Sequence, residues 1–121
     1  MLNLPPSVRV FVASEPVDGR KGPDSLMVVV RDAFKLDVFS GHLFVFFSKR
    51  RDRVRIVYWD RDGIAMWTKR LERARYRLQR HDVLVRCIDA AELSLILEGI
   101  DLANVRRRPR WEPRTRPSSP R

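Results

Sequence analysis

The sequence has a single cysteine, Cys87, which rules out a disulfide within the chain. A disulfide framework of the kind that stabilises small secreted domains is therefore excluded, and the composition suits a reducing cytosol. We expect the Cys87 thiol to be buried and inert. No stretch approaches the roughly 18 apolar residues of a membrane span, and residues 1–6 lack the basic start and apolar segment of a secretory signal. These absences predict a cytoplasmic protein with no membrane partner.

The sequence also lacks the residue patterns that catalysis or metal binding requires. His42 and His81 have no cysteine pair or carboxylate cluster at metal-ligand spacing, and no serine stands in a Gly-x-Ser-x-Gly context. A small metal-dependent nuclease could use Asp60 and Asp62, because two-metal sites need clustered carboxylates. Their place in an Asp-x-Asp-Gly turn explains both residues more simply. We therefore predict that the protein is not an enzyme and has no cofactor, with the nuclease as the least favoured alternative.

Basic residues, by contrast, are abundant. The 121 residues include 25 Lys and Arg against 15 Asp and Glu, which gives a net charge of +10. Residues 49–80 hold twelve basic and four acidic residues, and residues 104–121 hold seven arginines and one glutamate. The rest of the chain has an excess of four acidic residues. This distribution points to a polyanionic partner, foremost nucleic acid.

The chain length suits one domain with one core. Residues 104–121 include four prolines, and their apolar residues are Val105 and Trp111 alone. Such a segment buries too little surface to offset the entropy lost on ordering. We predict a folded domain over residues 1–103 and a disordered Arg/Pro-rich tail over residues 104–121.

Four runs rich in β-branched and aromatic residues predict strands at residues 8–12, 42–48, 53–59 and 64–68. The last three are joined by short polar loops and predict a three-stranded meander. Gly63, which follows Asp62 in the second loop, tolerates the positive φ angles of tight hairpin turns.

Apolar residues at helical spacing predict two helices, near residues 24–35 and 90–98. Asp24 or Ser25 can cap the first helix, although three successive valines in it also suit a strand. An Asp-x-x-Glu start from Asp89 to Glu92 marks the second helix. The predicted fold is a single α+β domain with a mainly antiparallel sheet, this meander and two helices.

The basic hairpin is the first candidate binding site. Its tip, residues 49–51, holds three cations, and Arg53 and Arg55 project to one face of the next strand. Residues 70–80 add a row of arginines that share a face in either a strand or a helix. Such cations suit the phosphates of nucleic acid, but they are also common as solvated loop tips or as guards of edge strands. The scarcity of acids in this region favours binding.

The loop 18–22 places two further cations between glycines before the first predicted helix. Backbone amides and side chains can clamp a phosphate there, although a plain turn is the simpler reading. The predicted nucleic-acid-binding residues are Arg20, Lys21, Lys49, Arg50, Arg51, Arg53, Arg55, Lys69, Arg70, Arg73, Arg75 and Arg77. The aromatic residues among them are expected to pack in the core rather than to stack on bases.

Three strings carry a resemblance to a known family: FSGHLFVF at residues 39–46, WDRDG at 59–63 and KRLE at 69–72. In this order and spacing, the sequence resembles the TnpB-type accessory proteins encoded by the second open reading frame of the insertion-sequence-sixty-six family. These are distinct from the RNA-guided nuclease that shares the TnpB name. The resemblance covers roughly residues 4–103. Gly19 and Pro23 replace larger apolar residues of the family pattern, and the tail has no counterpart in it.

The resemblance implies a non-catalytic bacterial protein that assists a separate transposase. Its partners would be that transposase and DNA, foremost the transposon ends. The family supplies no established site residues, so the basic residues above rest on their charge and placement. An alternative is a factor that binds the transposase through its basic face without contacting DNA.

Overall fold

The computed structural model of the protein describes residues 7–73, 75–76, 82–98, 100–101 and 106–107. In this part of the chain the elements are β1 (Val10–Ala13), α1 (Pro23–Asp32), β2 (Leu43–Phe47), β3 (Arg53–Asp60), β4 (Gly63–Arg70), β5 (Val85–Ile88), α2 (Ala90–Glu98), β6 (Ile100–Asp101) and β7 (Arg106–Arg107). Most of the predicted tail lies outside the described residues, so its disorder and the boundary at residue 103 stay predictions.

Strands β1 to β5 form one sheet in the order β4-β3-β2-β1-β5. The pairs β2–β3, β3–β4 and β1–β5 are antiparallel. The pair β1–β2 is parallel, because α1 carries the chain from the end of β1 back to the start of β2. Strands β6 and β7 pair separately from this sheet. The predicted single domain of α+β content with two helices is confirmed, and the main sheet is mixed.

Apolar residues cover both faces of the sheet. One face packs against Leu93, Ile96 and Leu97 of α2, and the other against α1. The middle strand, β2, lies between the two helices, and all five of its residues are buried. A strand buried on both faces needs a continuous apolar run instead of an alternating one, which explains the sequence LFVFF.

The two helices begin in different ways. Helix α1 begins at Pro23 behind Gly22, with no side-chain cap, so the predicted capping by Asp24 or Ser25 is wrong. Proline suits the first helical position, because its φ is already helical and its missing N–H would have no partner there. In α2, the Asp89 carboxylate accepts a hydrogen bond from the Glu92 amide at 2.7 Å, and the predicted Asp-x-x-Glu start is confirmed.

Cys87 is exposed, contrary to the expectation of a buried thiol. It lies on the edge strand β5, opposite Phe11, and shares the face of the sheet that α1 covers. Helix α1 contacts β3 and β4, at the other side of that face. The face of β5 on which Cys87 lies is therefore left open to solvent.

The β3–β4 turn also differs from its prediction. Asp60 pairs with Gly63, so Arg61 and Asp62 are the two turn residues. The positive φ, 59°, falls on Arg61, whereas Gly63 begins β4 with an ordinary backbone conformation. The pairing of the strands therefore decides which residue adopts the left-handed conformation, and the glycine lies two positions too late to supply it.

Replacing Arg61 with glycine is expected to raise the free energy of unfolding by roughly 0.5–1 kcal/mol, because a side chain is disfavoured at positive φ. The hydrogen bond from Trp59 Nε1 to the Arg61 carbonyl oxygen, 3.1 Å, involves the backbone and survives the change. Urea denaturation measures the difference. The control Asp62→Gly, at a position without positive φ, should lower stability; equal effects of the two changes would contradict this account.

Candidate nucleic-acid interface

The carboxyl ends of β1 and β2 lie side by side at one end of the sheet, because these strands are parallel. The loops that follow them, residues 14–22 and 48–52, are joined by a parallel bridge between Val17 and Ser48. The Val17 amide donates to the Phe47 carbonyl oxygen at 3.0 Å. In open sheets, ligand sites form outside the carboxyl ends of parallel strands, where the connecting loops leave a crevice.

An open cleft of about 450 Å³ lies at this end of the sheet. Its lining includes five basic residues, Arg20, Lys49, Arg50, Arg53 and Arg70, and two acidic residues, Asp18 and Asp52. Five cations against two anions leave three uncompensated positive charges. We call this crevice the basic cleft. The five cations come from three segments: the loop after β1, the turn into the start of β3, and the end of β4.

Asp18 and Arg20 form a compact turn on one side of the basic cleft. The Arg20 amide donates to Asp18 Oδ1 at 2.9 Å, and Arg20 Nη2 donates to Asp18 Oδ2 at 3.2 Å. The hydrogen bonds from Arg20 lower the pKa of Asp18 from 3.8 to about 2, and the charge of Lys49 contributes in the same direction. Asp18 is therefore ionised at neutral pH and offsets one of the cations.

Arg55 holds this loop against the sheet. Its Nη2 donates to the Gly19 carbonyl oxygen at 2.5 Å, and its Nη1 donates to the Lys21 carbonyl oxygen at 3.3 Å. Arg53 and Arg55 project to one face of β3, as predicted, but only Arg53 is among the residues that line the cleft. The contacts of Arg55 give it a positioning role: it fixes the loop that carries Arg20.

The β2–β3 turn forms the other side of the cleft and is held by its own polar side chains. Ser48 Oγ donates to Asp52 Oδ1 at 3.1 Å and accepts from the Arg53 amide at 3.2 Å. Arg51 adopts a φ of 61°, and its amide donates to the Ser48 carbonyl oxygen at 2.9 Å. These bonds fix the turn and leave the side chains of residues 49–50 exposed.

Arg53 and Arg70 are directly opposite each other on β3 and β4. Both line the basic cleft. Arg70 Nη2 also lies 3.9 Å from Glu72 Oε1, but both side chains are more than half exposed, so this ion pair is weak. Like charges directly opposite on neighbouring strands are destabilising.

The other predicted binding residues do not line the cleft. Lys69 lies on the opposite face of β4 from Arg70, the face on which Trp67 packs in the core beside α2. The cations that lie outside the lining are Lys21, Arg51, Arg55, Lys69, Arg73 and Arg75. Arg77 lies outside the described residues. The predicted row of arginines ends in an irregular segment: β4 stops at Arg70, and residues 71–73 and 75–76 form neither strand nor helix.

Sequence reasoning missed Ser48 and Asp52, which hold the turn, and Asp18, which pairs with Arg20. The sequence offered one signal for this turn: Ser48 stands just before the tight loop, and Asp52 follows four residues later. The opposition of Arg53 and Arg70 was also within reach, because pairing counted back from Asp60 and Gly63 aligns them.

Asp60 and Asp62 lie at the other end of the sheet and serve the β3–β4 turn, in which the Asp62 amide donates to the Asp60 carbonyl oxygen at 2.6 Å. Within the described part of the chain, no three His, Cys, Asp or Glu residues are grouped so as to hold a metal ion. The aromatic side chains of the same region pack in the structure: Tyr76 is buried against Phe47, and Trp59 packs edge-on against Phe39. No helix of the described residues is long and apolar enough to span a membrane.

The Asp18 carboxyl is expected to titrate at about pH 2, because Arg20 stabilises its ionised form. Its pKa is lowered on folding, so its contribution to stability is complete above its unfolded pKa of 3.8 and is lost as the pH falls from there to about 2. Side-chain carboxyl chemical shifts measured against pH give the value. In Arg20→Gln the pKa should move back towards 3.8; titration of the unchanged protein near 3.8 would refute the pairing.

Comparisons with known proteins identify the family. Two relatives from Sinorhizobium fredii match most of the chain. "Uncharacterized protein y4jC" is 36% identical over 102 residues, which cover 84% of this chain and 87% of the relative. "Uncharacterized protein y4hO" is 35% identical over 101 residues, which cover 84% of this chain and 88% of the relative. No solved structure matches. The family model described as "IS66 Orf2 like protein" matches residues 8–107, which includes both loops of the basic cleft. The chain therefore belongs to the IS66 Orf2-like family.

Proposed function

We propose that the protein is a non-catalytic accessory protein of transposition that binds the phosphate backbone of transposon DNA in its basic cleft. The observation that carries this proposal is the convergence of five basic side chains from three separate segments on one cleft. Each cation that meets a phosphate displaces condensed counterions, and this release drives sequence-independent binding. The family points to transposition, a process in which DNA is the available polyanion.

The opposition of Arg53 and Arg70 supports an anionic ligand. Two arginines facing each other across a strand pair repel in the free protein, and a phosphate between them would turn that repulsion into attraction. Arg20 and the turn cations Lys49 and Arg50 would meet further phosphates on either side. Arg73 and Arg75, which follow Arg70 in the chain, would supply further cations.

A separate transposase would carry out strand cleavage and joining. The accessory protein would hold DNA in position for it, in the cytoplasm, and would need no metal or cofactor of its own. The rival arrangement is one in which the basic cleft binds an acidic segment of the transposase and DNA makes no contact. The two arrangements differ in whether the isolated protein binds DNA, so they are separable by experiment.

Replacing Lys49, Arg50 and Arg53 with glutamine is expected to reduce the slope of log K against log salt concentration by up to about three units. Each lost phosphate contact reduces the steepness of this slope by about 0.9 units. Titrations of transposon-end and scrambled duplexes at several salt concentrations give the slope. The matched control replaces Arg9, Lys35 and Arg61, which are exposed at the other end of the sheet and carry the same charge. It should leave the slope nearly unchanged.

Equal slopes in the two triple variants would show that binding follows net charge and not the cleft. A chain ending at residue 107, which keeps β7, belongs in the same series, because residues 108–121 carry four of the ten net positive charges. If shortening alone removes binding, or if the full chain fails to bind at physiological salt, the proposal fails. Retained binding to the transposase in that case would favour the protein-interaction arrangement.

Arg55 provides a test of how the cleft is built. Replacing it with glutamine is expected to weaken DNA binding severalfold while changing the salt slope by much less than one unit, because Arg55 contacts the loop and not the proposed phosphate. Amide hydrogen exchange at residues 19–22 should become faster, while exchange in β2 stays slow. The comparison variant Arg53→Gln should instead reduce the slope by about 0.9 units. A slope change in Arg55→Gln as large as that would identify Arg55 as a direct contact.

A further inference from the structure

We infer that the basic cleft receives the terminal phosphate of a DNA strand, in preference to the phosphodiesters inside a duplex. The inference rests on the proposed function, since it names the part of the nucleic acid that enters this site. Three properties of the cleft carry it: its concave shape, the polar and charged character of the described residues that line it, and the charge gathered at its wall.

The shape favours a group that projects from its carrier. The loop after β1 contributes Arg20 to the cleft, the β2–β3 turn contributes Lys49, and the sheet contributes Arg53 and Arg70 at paired positions. The cleft is open to solvent, and its volume of about 450 Å³ lies in the range of small-molecule sites. Phosphates inside a duplex lie along the convex outside of the helix, whereas a strand end presents a phosphate that can enter a recess.

The lining indicates that phosphate oxygens and not bases are recognised. None of the described residues that line the cleft is aromatic, so these residues meet a ligand through charge and hydrogen bonds and not by stacking. The cations there have no acceptor role, and the guanidinium of arginine presents its donors in a fork that fits two phosphate oxygens. A ligand held by such a wall is recognised through its charge and its free oxygens.

The charge matches a monoester better than a diester. A terminal phosphate carries about −1.5 to −2 charges at neutral pH and offers three free oxygens, whereas an internal phosphodiester carries −1 and offers two. With the two acids of the lining set against its five cations, three positive charges remain to meet a doubly charged group. Arg53 and Arg70, opposite each other on neighbouring strands, can each donate to one doubly charged phosphate held between them.

The test compares one oligonucleotide in four forms: with a 5′-phosphate, with a 3′-phosphate, with both ends as hydroxyls, and with the phosphorylated end paired in a blunt duplex. The unpaired phosphorylated forms are expected to bind the full chain roughly tenfold more tightly than the hydroxyl form at a fixed salt concentration. The preferred form shows which strand end enters the cleft. Inorganic phosphate is expected to compete for the added affinity and to raise the melting temperature of the protein.

The variant Arg70→Gln is the sharpest probe, because removing one of two opposed arginines relieves repulsion and should leave the fold at least as stable. In it, the advantage of the phosphorylated forms should shrink to less than about threefold, whereas the control with Arg9, Lys35 and Arg61 replaced should keep the full advantage. Equal affinity of the unchanged protein for phosphorylated and hydroxyl ends would overturn the inference and leave the proposed DNA binding intact. Failure of every form to bind would overturn both.

Discussion

The parallel pairing of β1 with β2 is the constraint on which the candidate site depends. It forces the chain through α1 and delivers the carboxyl ends of two strands to one end of the sheet. The loops that leave those strands must diverge, and the bridge between Val17 and Ser48 holds their bases together while they do so. The cleft between them therefore follows from the direction of the strands. The residues that line it are not needed for the core and can be charged.

Different parts of the sheet supply the hydrophobic core and the charged residues of the cleft. Strand β2 is buried on both faces and supplies hydrophobic stabilisation from each helix layer, so it has no room for polar groups. The cations are confined to loops and to the ends of β3 and β4, where their stems lie on the sheet and their heads reach solvent. The repulsion between Arg53 and Arg70 is tolerated because the stability of the fold is secured elsewhere.

Local patterns in the sequence were enough to predict the hairpins and the start of α2. Each of these features depends on a few neighbouring residues: a run of strand-forming residues, a tight polar loop or an Asp-x-x-Glu start. The parallel β1–β2 pair escaped prediction, because its partners are about thirty residues apart and no short pattern records strand direction. The exposure of Cys87 was missed for a similar reason: it depends on which strands α1 covers. The clustering of charge in the sequence singled out residues 49–80 as the candidate site. Only the strand pairing shows that Arg70 and Lys69 lie on opposite faces, and only the hydrogen bonds show that Arg55 contacts a loop.

The two hydrogen bonds of Arg55 have a geometric consequence. The loop carrying Arg20 is tied to β3 by a side chain instead of by a backbone ladder, so the distance between loop and strand equals the reach of one arginine. The position of this loop beside the cleft therefore depends on the length of the Arg55 side chain as well as on the backbone bridge between Val17 and Ser48. A shorter side chain at this position could not reach both carbonyl oxygens, and the loop would then keep the backbone bridge as its attachment to the sheet.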